Sequence, residues 1–396
     1  MANLLDEASI LLSATAYNNG SMLAIKPENG DGDFTFSRNS AATRVNAQGL
    51  VENVAINLPR IDYTDGCGSW LLEPQSTNLI ITSDRGVFGN NPGSEILTTS
   101  PDGTNTAVRP VPDSISDRYT GQISSGTYST NTKVTYSWYR KRISTPVIDT
   151  YIGDLQPYAL VNVTQVGSTI QIKSDINGFD RFSATFNITD GSLASNIRLY
   201  FGGIIGVGNS SVAYWGHQLE ALDYATSLIP TSGSSVTRNQ DLCTNSGNAS
   251  LINSEEGVLY FEGSALALTS SLEILSLNDE TYNNIVLFRY YDTSNNDIQV
   301  QVKVGGSIQS SILFTLSDAK AFNKIALKYK ENDFALWVNG AKVGTDTSGT
   351  TFPADTLNKL SFNRGDGSNP FYGKTKALAV YKTALTDAQL TELTTI

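Results

Sequence analysis

Hydrophobic and polar residues alternate along most of the chain, most strictly in Ile298-Gln-Val-Gln-Val-Lys-Val304. A period of two predicts an extended strand, and Gly305-Gly306 behind it predicts a two-residue hairpin turn. The same reading recurs upstream and downstream. Val134, Tyr136 and Trp138 share one strand face, with Lys133, Thr135 and Ser137 on the other. Asn177-Gly178 predicts a tight turn into Phe182 to Phe186, and Asp190-Gly191 another before Ile197 to Phe201. Val258 to Glu262, Asn284 to Tyr291, Ile325 to Tyr329 and Phe334 to Val338 read as further strands, the last closed by Asn339-Gly340. Phe34 and Phe36 alternate with polar neighbours, and Asn46-Ala47-Gln48-Gly49 and Asp65-Gly66-Cys67-Gly68 read as turns. Helical spacing is scarce. Leu4, Ala8, Leu11 and Leu12 suggest a short amphipathic helix, and Thr386 with Gln389 forms a capping box ahead of Leu390 and Leu393.

Many short strands joined by turn residues predict an all-β protein: two antiparallel β-sandwich (jelly-roll) domains in tandem behind an N-terminal attachment segment. Residues 231–250, rich in Ser, Thr, Asn and Gly, read as the best linker, with a domain boundary near 240. The expected units are an attachment segment with hairpins over 1–85, joined to the first sandwich, then sandwiches over 86–238 and 239–396. The stretch from about 86 to 130 reads as long loops between short strands.

Composition narrows the chemistry. The chain has 396 residues, 27 basic and 38 acidic side chains, a net charge of -11, one His and two Cys. That balance argues against a nucleic-acid coat, which needs clustered Lys and Arg; the run Arg140-Lys141-Arg142 reads as the solvated end of a strand. His217, Cys67 and Cys243 cannot build a zinc finger, a three-His zinc site or a dense disulfide framework. The cysteines are read as two reduced, buried thiols. No run reaches the ~18 apolar residues of a membrane span, and Asp6 and Glu7 stand where a signal peptide carries basic residues. The expectation is synthesis in the cytoplasm without export by the usual route and without membrane insertion.

From Phe34 through Leu50, and again in Pro59-Arg-Ile-Asp-Tyr63 and Gly68 through Leu79, the text resembles bacteriophage virion proteins. The phrasing resumes in Ala213-Tyr-Trp-Gly-His-Gln-Leu-Glu220 and from Ala225 to Arg238. In such tail, fibre and appendage proteins it accompanies a jelly roll similar to carbohydrate-binding modules. Gly257-Val-Leu-Tyr-Phe-Glu-Gly263, Leu336-Trp-Val-Asn-Gly340 and the stretch from Phe371 to Leu390 resemble the concanavalin-A-like lectin and laminin-G superfamily. The resemblances imply a virion component, assembled in the host cytoplasm, whose partners are other virion proteins, copies of itself as a trimer or pentamer, and host surface polysaccharide.

Catalysis finds little support. His217 is the only imidazole and lies in a strand-like run with no serine elbow, so it reads as a core or interface residue. Glycoside hydrolysis needs two facing carboxylates; Glu255-Glu256 point to opposite faces if extended, and Asp279-Glu280 lie in a turn. Glycan binding asks only for an aromatic surface flanked by hydrogen-bonding groups. Tyr291, Asp292, Arg364, Asp366, Asn369 and Tyr372 are loop candidates in the C-terminal domain, and Trp337 is a second kind of candidate because it opposes the Phe334, Leu336, Val338 face. No cofactor is expected apart from calcium, for which Asp366 and Asn369 are the weak candidates. The expected function is a non-enzymatic virion component that binds host glycans. The alternatives are a purely structural decoration or fibre-joining subunit and, third, a polysaccharide depolymerase.

Overall fold

The computed structural model describes residues 4–84, 94–111, 119–121, 129–142, 163–189, 199–201, 212–267, 273–292 and 295–396. The first sandwich is organised by a six-stranded antiparallel sheet in the order Val163–Ile176, Phe179–Ile188, Lys133–Arg142, Val212–Glu220, Ala107–Val111, Ser94–Thr98. Trp138 pairs with Phe182 and Tyr136 with Ala184, so the predicted face of Val134, Tyr136 and Trp138 is a core surface. The turn at Asn177-Gly178 has positive φ at both residues (51° and 77°), which matches the twist of the flanking strands. The opposite face packs Tyr139, Phe179 and Trp215 against Val45 and Val51 of the hairpin Ala42–Val45/Val51–Val54. The expected turn at Asp190-Gly191 lies outside the described residues.

The second sandwich faces an eleven-stranded sheet with a five-stranded one. The small sheet runs Ser307–Thr315, Asp297–Val304, Ile285–Asp292, Glu273–Asn278, Lys359–Ser361. Its inward residues include Leu275, Phe288, Val300 and Val302, which meet Leu259, Phe261, Leu327 and Leu336 of the large sheet in one core. Gly305-Gly306 is the predicted hairpin turn, with φ of 55° and 86°. The helix Asp387–Thr394 begins at Thr386 with its capping box formed, as the spacing predicts.

Two expectations about the N-terminus are corrected. Only Leu4–Glu7 is helical, as a single 3-10 turn, and the chain then enters the strand Ile10–Asn18. Alternation wins over helical spacing here because Ile10 and Leu12 point into the sandwich core while Leu11 packs on the outer side of the sheet with Leu4 and Ala8. The strands Ile10–Asn18, Ser21–Lys26 and Phe34–Ser37 also extend the large sheet of the C-terminal sandwich, Ile10 pairing with Val380 and Leu12 with Leu378. Within the rest of the segment, the hairpin Ala42–Val45/Val51–Val54 and Ile80 pack against the first sandwich, while Ile61–Asp62 and Ser69–Leu72 join the large sheet and put Ile61, Trp70 and Leu72 in the C-terminal core. The C-terminal sandwich is therefore completed by residues from the opposite end of the sequence.

The stretch expected to be a flexible linker is instead pinned on both sides of residue 240. Val236–Arg238 pairs with Ser76–Asn78, and Leu242–Thr244 pairs with Phe34–Ser37. Between them lies a buried ionic knot. Asp241 accepts from Arg38 Nη1 at 3.1 Å, from Arg60 Nη2 and from the Glu73 backbone N–H at 2.8 Å. Glu73 Oε2 takes Arg60 Nη1 and Arg238 Nη1, each at 2.7 Å, and the Ser227 hydroxyl at 2.6 Å. Burial works to raise the Glu73 pKa, and the Arg238 and Arg60 charges overcome it and hold the carboxyl well below the usual range. A string of small polar residues looks like a linker, yet Arg238 and Asp241 within it anchor the junction. The cysteine expectation is corrected in part: both are free thiols, but only Cys243 is buried and Cys67 is exposed on its turn.

Candidate functional site

The five-stranded sheet has one face in the core and one turned outward, and period-two geometry decides which side chains the outward face presents. Part of it is covered. Ile274, Ile285 and Leu287 lie beneath Tyr282, and the loop after Lys359–Ser361 folds across Asn278. The fold-over depends on Gly365, which has φ +89° and leaves no room for a side chain: a Cβ there would sit 2.9 Å from Asn278 Cγ and 2.8 Å from the Thr281 carbonyl oxygen.

The remaining outward surface, at the Arg289–Tyr291 end of Ile285–Asp292, the Asp297–Gln299 end of Asp297–Val304 and along Ser307–Thr315, is open, whereas Gln301 is buried. Tyr291 is 43% exposed there, Leu313 is exposed in register with Gln299, and Ile308 is exposed at the far end of the face opposite Lys303. A hydrogen-bonded row crosses these three strands. Arg289 pairs in register with Gln299, and its Nε donates to Gln299 Oε1 at 2.8 Å with Nη2 donating to the same oxygen. Gln299 Nε2 donates to Ser311 Oγ at 3.0 Å. The guanidinium carbon of Arg289 lies 5.0 Å from the centre of the Tyr291 ring. This places an aromatic surface beside fixed donors and acceptors, the combination that carbohydrate recognition requires. Farther along the face, Lys303 Nζ sits 3.8 Å from the centre of the Tyr282 ring.

The structure separates the seven residues proposed from sequence. Tyr291 belongs to the open face, in a strand rather than a loop. Asp292 follows it and pairs through its backbone with Asp297; its side chain lies outside the described residues. Arg364 lies 4.5 Å over Tyr282 and forms an ion pair with Asp366 at 2.6 Å. Asn369 has φ 48°, and its carbonyl accepts the Ile274 N–H at 3.3 Å. Tyr372 is at the junction between the sandwiches, where its hydroxyl donates to Gln240 Oε1 at 2.9 Å and burial raises its pKa to about 12. Trp337 is 1% exposed beneath the C-terminal helix, packed with Leu390 and Leu393, so its proposed sugar-stacking role is corrected. Opposing an apolar strand face did not make it exposed, because the sheet is covered on both sides.

Of the two calcium candidates, Asp366 is already committed to other partners. Both Asp366 oxygens are engaged by Arg364, and Oδ1 also accepts the Ser368 N–H and hydroxyl. The Arg364 bond is the leading cause of a carboxyl pKa far below its ordinary value. Among the described residues, no group of three or more His, Cys, Asp or Glu is placed to hold a metal.

The solitary imidazole lies in the first core. His217 is buried, its Nδ1 lies 2.6 Å from the Tyr136 hydroxyl, and burial depresses its pKa to about 3. It is neutral at physiological pH and out of contact with solvent. Glu256, weighed for hydrolysis, pairs with Lys330 at 2.8 Å, while Asp279 is occupied by Thr281 and Asn284.

Residues 267–391 match the family described as the concanavalin A-like lectin/glucanases superfamily. The phage-like phrasing at 34–79 and 213–238 lies outside that stretch. No curated protein shows significant similarity to the chain. Among solved structures, the CBM40 domain of the Ruminococcus gnavus IT-sialidase is 19% identical, covering 36% of this chain and 84% of that one with a TM-score of 0.30. The native heptameric SAP-like pentraxin of Limulus polyphemus is 13% identical over 35% and 70%, with a TM-score of 0.30. Domain 4 of the extracellular arabinanase AbnA of Geobacillus stearothermophilus is 13% identical over 39% and 73%, with a TM-score of 0.32. The C-terminal sandwich is thus lectin-like by sequence match, and the protein is built of antiparallel β-sheets throughout its described elements apart from two short helical segments.

Proposed function

We propose that the protein is a non-catalytic glycan-binding component of a bacteriophage virion, a fibre, tail or capsid appendage, acting as one of several copies against host surface polysaccharide. The observation that carries glycan binding is the open outer face of the small sheet, where Tyr291 stands exposed beside Arg289, held in place by Gln299 and Ser311. A pyranose offers an apolar C–H surface rimmed by hydroxyls. The ring of Tyr291 suits the first, and the amides, hydroxyl and guanidinium around it suit the second. The lectin-like match over 267–391 supports the reading, and the phage-like phrasing at 34–79 and 213–238 supports the virion setting.

The disposition of ionisable groups in the described part of the chain supports a binding role without chemistry. His217 is sealed in a core, and Glu73 and Asp241 are locked by arginines. The test is a glycan array and a whole-cell binding assay with the full chain, alongside Tyr291→Ala. Binding that Tyr291→Ala abolishes supports the reading. Absence of binding to every glycan and every host cell overturns it, and release of reducing ends from polysaccharide overturns its non-catalytic half.

A further inference from the structure

We infer that the glycan recognised on the open face is a polyuronate, a polysaccharide carrying repeated carboxylates. The inference rests on the glycan-binding reading and deepens it. Its starting point is an imbalance in how the cations are used. The protein is acidic, at -11, and many of its basic side chains are matched. Arg38, Arg60 and Arg238 are taken up by the knot, Lys328 by Asp333, Lys342 by Asp387, and Lys374 by Asp62 and Asp65. On the outward face, by contrast, Arg289 has no carboxylate within ion-pair distance among the described residues, and Lys303, at the edge of the part covered by Tyr282, meets only the Tyr282 ring. Asp297 shares that face, yet its Oδ1 accepts the Thr315 hydroxyl at 2.6 Å and it makes no ion pair with Arg289.

The geometry of Arg289 selects the kind of anion. Gln299 Oε1 takes Nε and Nη2, the side edge of the guanidinium, and Ser311 holds Gln299 from behind. The end edge, formed by Nη1 and the second N–H of Nη2, stays available. Two parallel N–H groups in a plane match the two oxygens of a carboxylate. Because the guanidinium is already fixed, little side-chain freedom is lost when the anion arrives.

Lys303 supplies the second contact. It lies on the same face four residues beyond Gln299, or roughly 13 Å at about 3.3 Å per residue. That exceeds the reach of one pyranose ring, so a single acidic sugar cannot engage both cations, whereas a chain with a carboxylate on successive residues can. Arg289 and Lys303, which make no ion pair among the described residues, are the two points at which a carboxylate-bearing chain docks.

The experiment compares polyuronates (polygalacturonate and alginate) with their methyl esters, using affinity electrophoresis and calorimetry on the full chain. Esterification keeps the sugar skeleton and removes the charge. The expected result is binding to at least one acid form, loss on esterification, and weakening as salt is raised. Arg289→Gln is expected to reduce affinity by roughly tenfold to a hundredfold, the range for a lost hydrogen bond to a charged group. Lys303→Gln should give a smaller loss, with both variants melting like the parent. Equal binding to acid and ester, or binding to neutral glycans that Arg289→Gln leaves intact, overturns the polyuronate inference while the glycan reading stands. Failure to bind any glycan, charged or neutral, overturns both.

Discussion

Glu273 provides a quantitative test of the packing at the end of the small sheet. It opens the strand Glu273–Asn278 on the core side, opposite Tyr290, and is 7% exposed. Among the described residues, neither its Oε2 nor the Tyr290 hydroxyl has a hydrogen-bond partner. Burial disfavours the carboxylate and raises the pKa from 4.5 to about 8. The folded state therefore holds the proton more tightly than the unfolded chain does. The stabilisation is fully present below pH 4.5 and is lost as pH rises through the folded value near 8. A gap of 3.5 units (8 minus 4.5) at ~1.36 kcal/mol per unit gives a ceiling of about 5 kcal/mol, with about 3 kcal/mol gone by pH 7. Urea unfolding of the parent and of Glu273→Gln from pH 4.5 to 9 measures it directly. The parent should lose stability steadily with pH, and the variant, neutral throughout, should lose several kcal/mol less. Parallel curves would refute the argument, because they would mean that Glu273 gains no proton affinity on folding.

Four further variants probe the geometry. Asp241→Asn leaves the Arg38 and Arg60 cations buried with one charge fewer between them, which should cost about 3–5 kcal/mol and, in calorimetry, split a coupled transition into two. Trp337→Ala should cost about 3–5 kcal/mol, as for other buried Trp truncations, and leave glycan affinity unchanged, whereas Tyr291→Ala should stay within about 0.5 kcal/mol in stability while removing binding. Thr386→Ala removes the N-cap of the C-terminal helix and should cost about 1 kcal/mol in thermal unfolding.

Strand pattern was legible because alternation is written locally. Val134, Tyr136 and Trp138 share a face whatever lies above them, and Gly305-Gly306 and Asn339-Gly340 provide the positive φ that their turns need. Partnership was not legible. The pairing of Ile10–Asn18 with Gly373–Tyr381 joins residues more than 360 positions apart, and no periodicity within either strand specifies its neighbour. The apparent linker misleads for a related reason. Ser, Thr, Asn and Gly permit flexibility but do not impose it, and the placement of Arg238 and Asp241 is set by Arg38, Arg60 and Glu73 from distant segments.

The site divides along the same line. Tyr291 could be selected from its residue type, but Arg289, Gln299 and Ser311 look like ordinary solvated strand positions until three strands are aligned in register. Trp337 failed for the converse reason. Its alternation places it on the far side of the sheet from Phe334 and Leu336, and only the return of the C-terminal helix decides that this side is a second core. An aromatic residue on a strand becomes a binding candidate when the layer that could cover it is missing, so exposure is a property of topology before it is a property of the residue. On the small sheet, the layer formed by Tyr282 and the loop at Gly365 covers Glu273–Asn278 and Ile285 and Leu287 of the next strand, and Tyr282 reaches Lys303 on the strand beyond. Arg289 and Tyr291 lie beyond it, on the first ground where a cation and an aromatic ring can meet something outside the molecule.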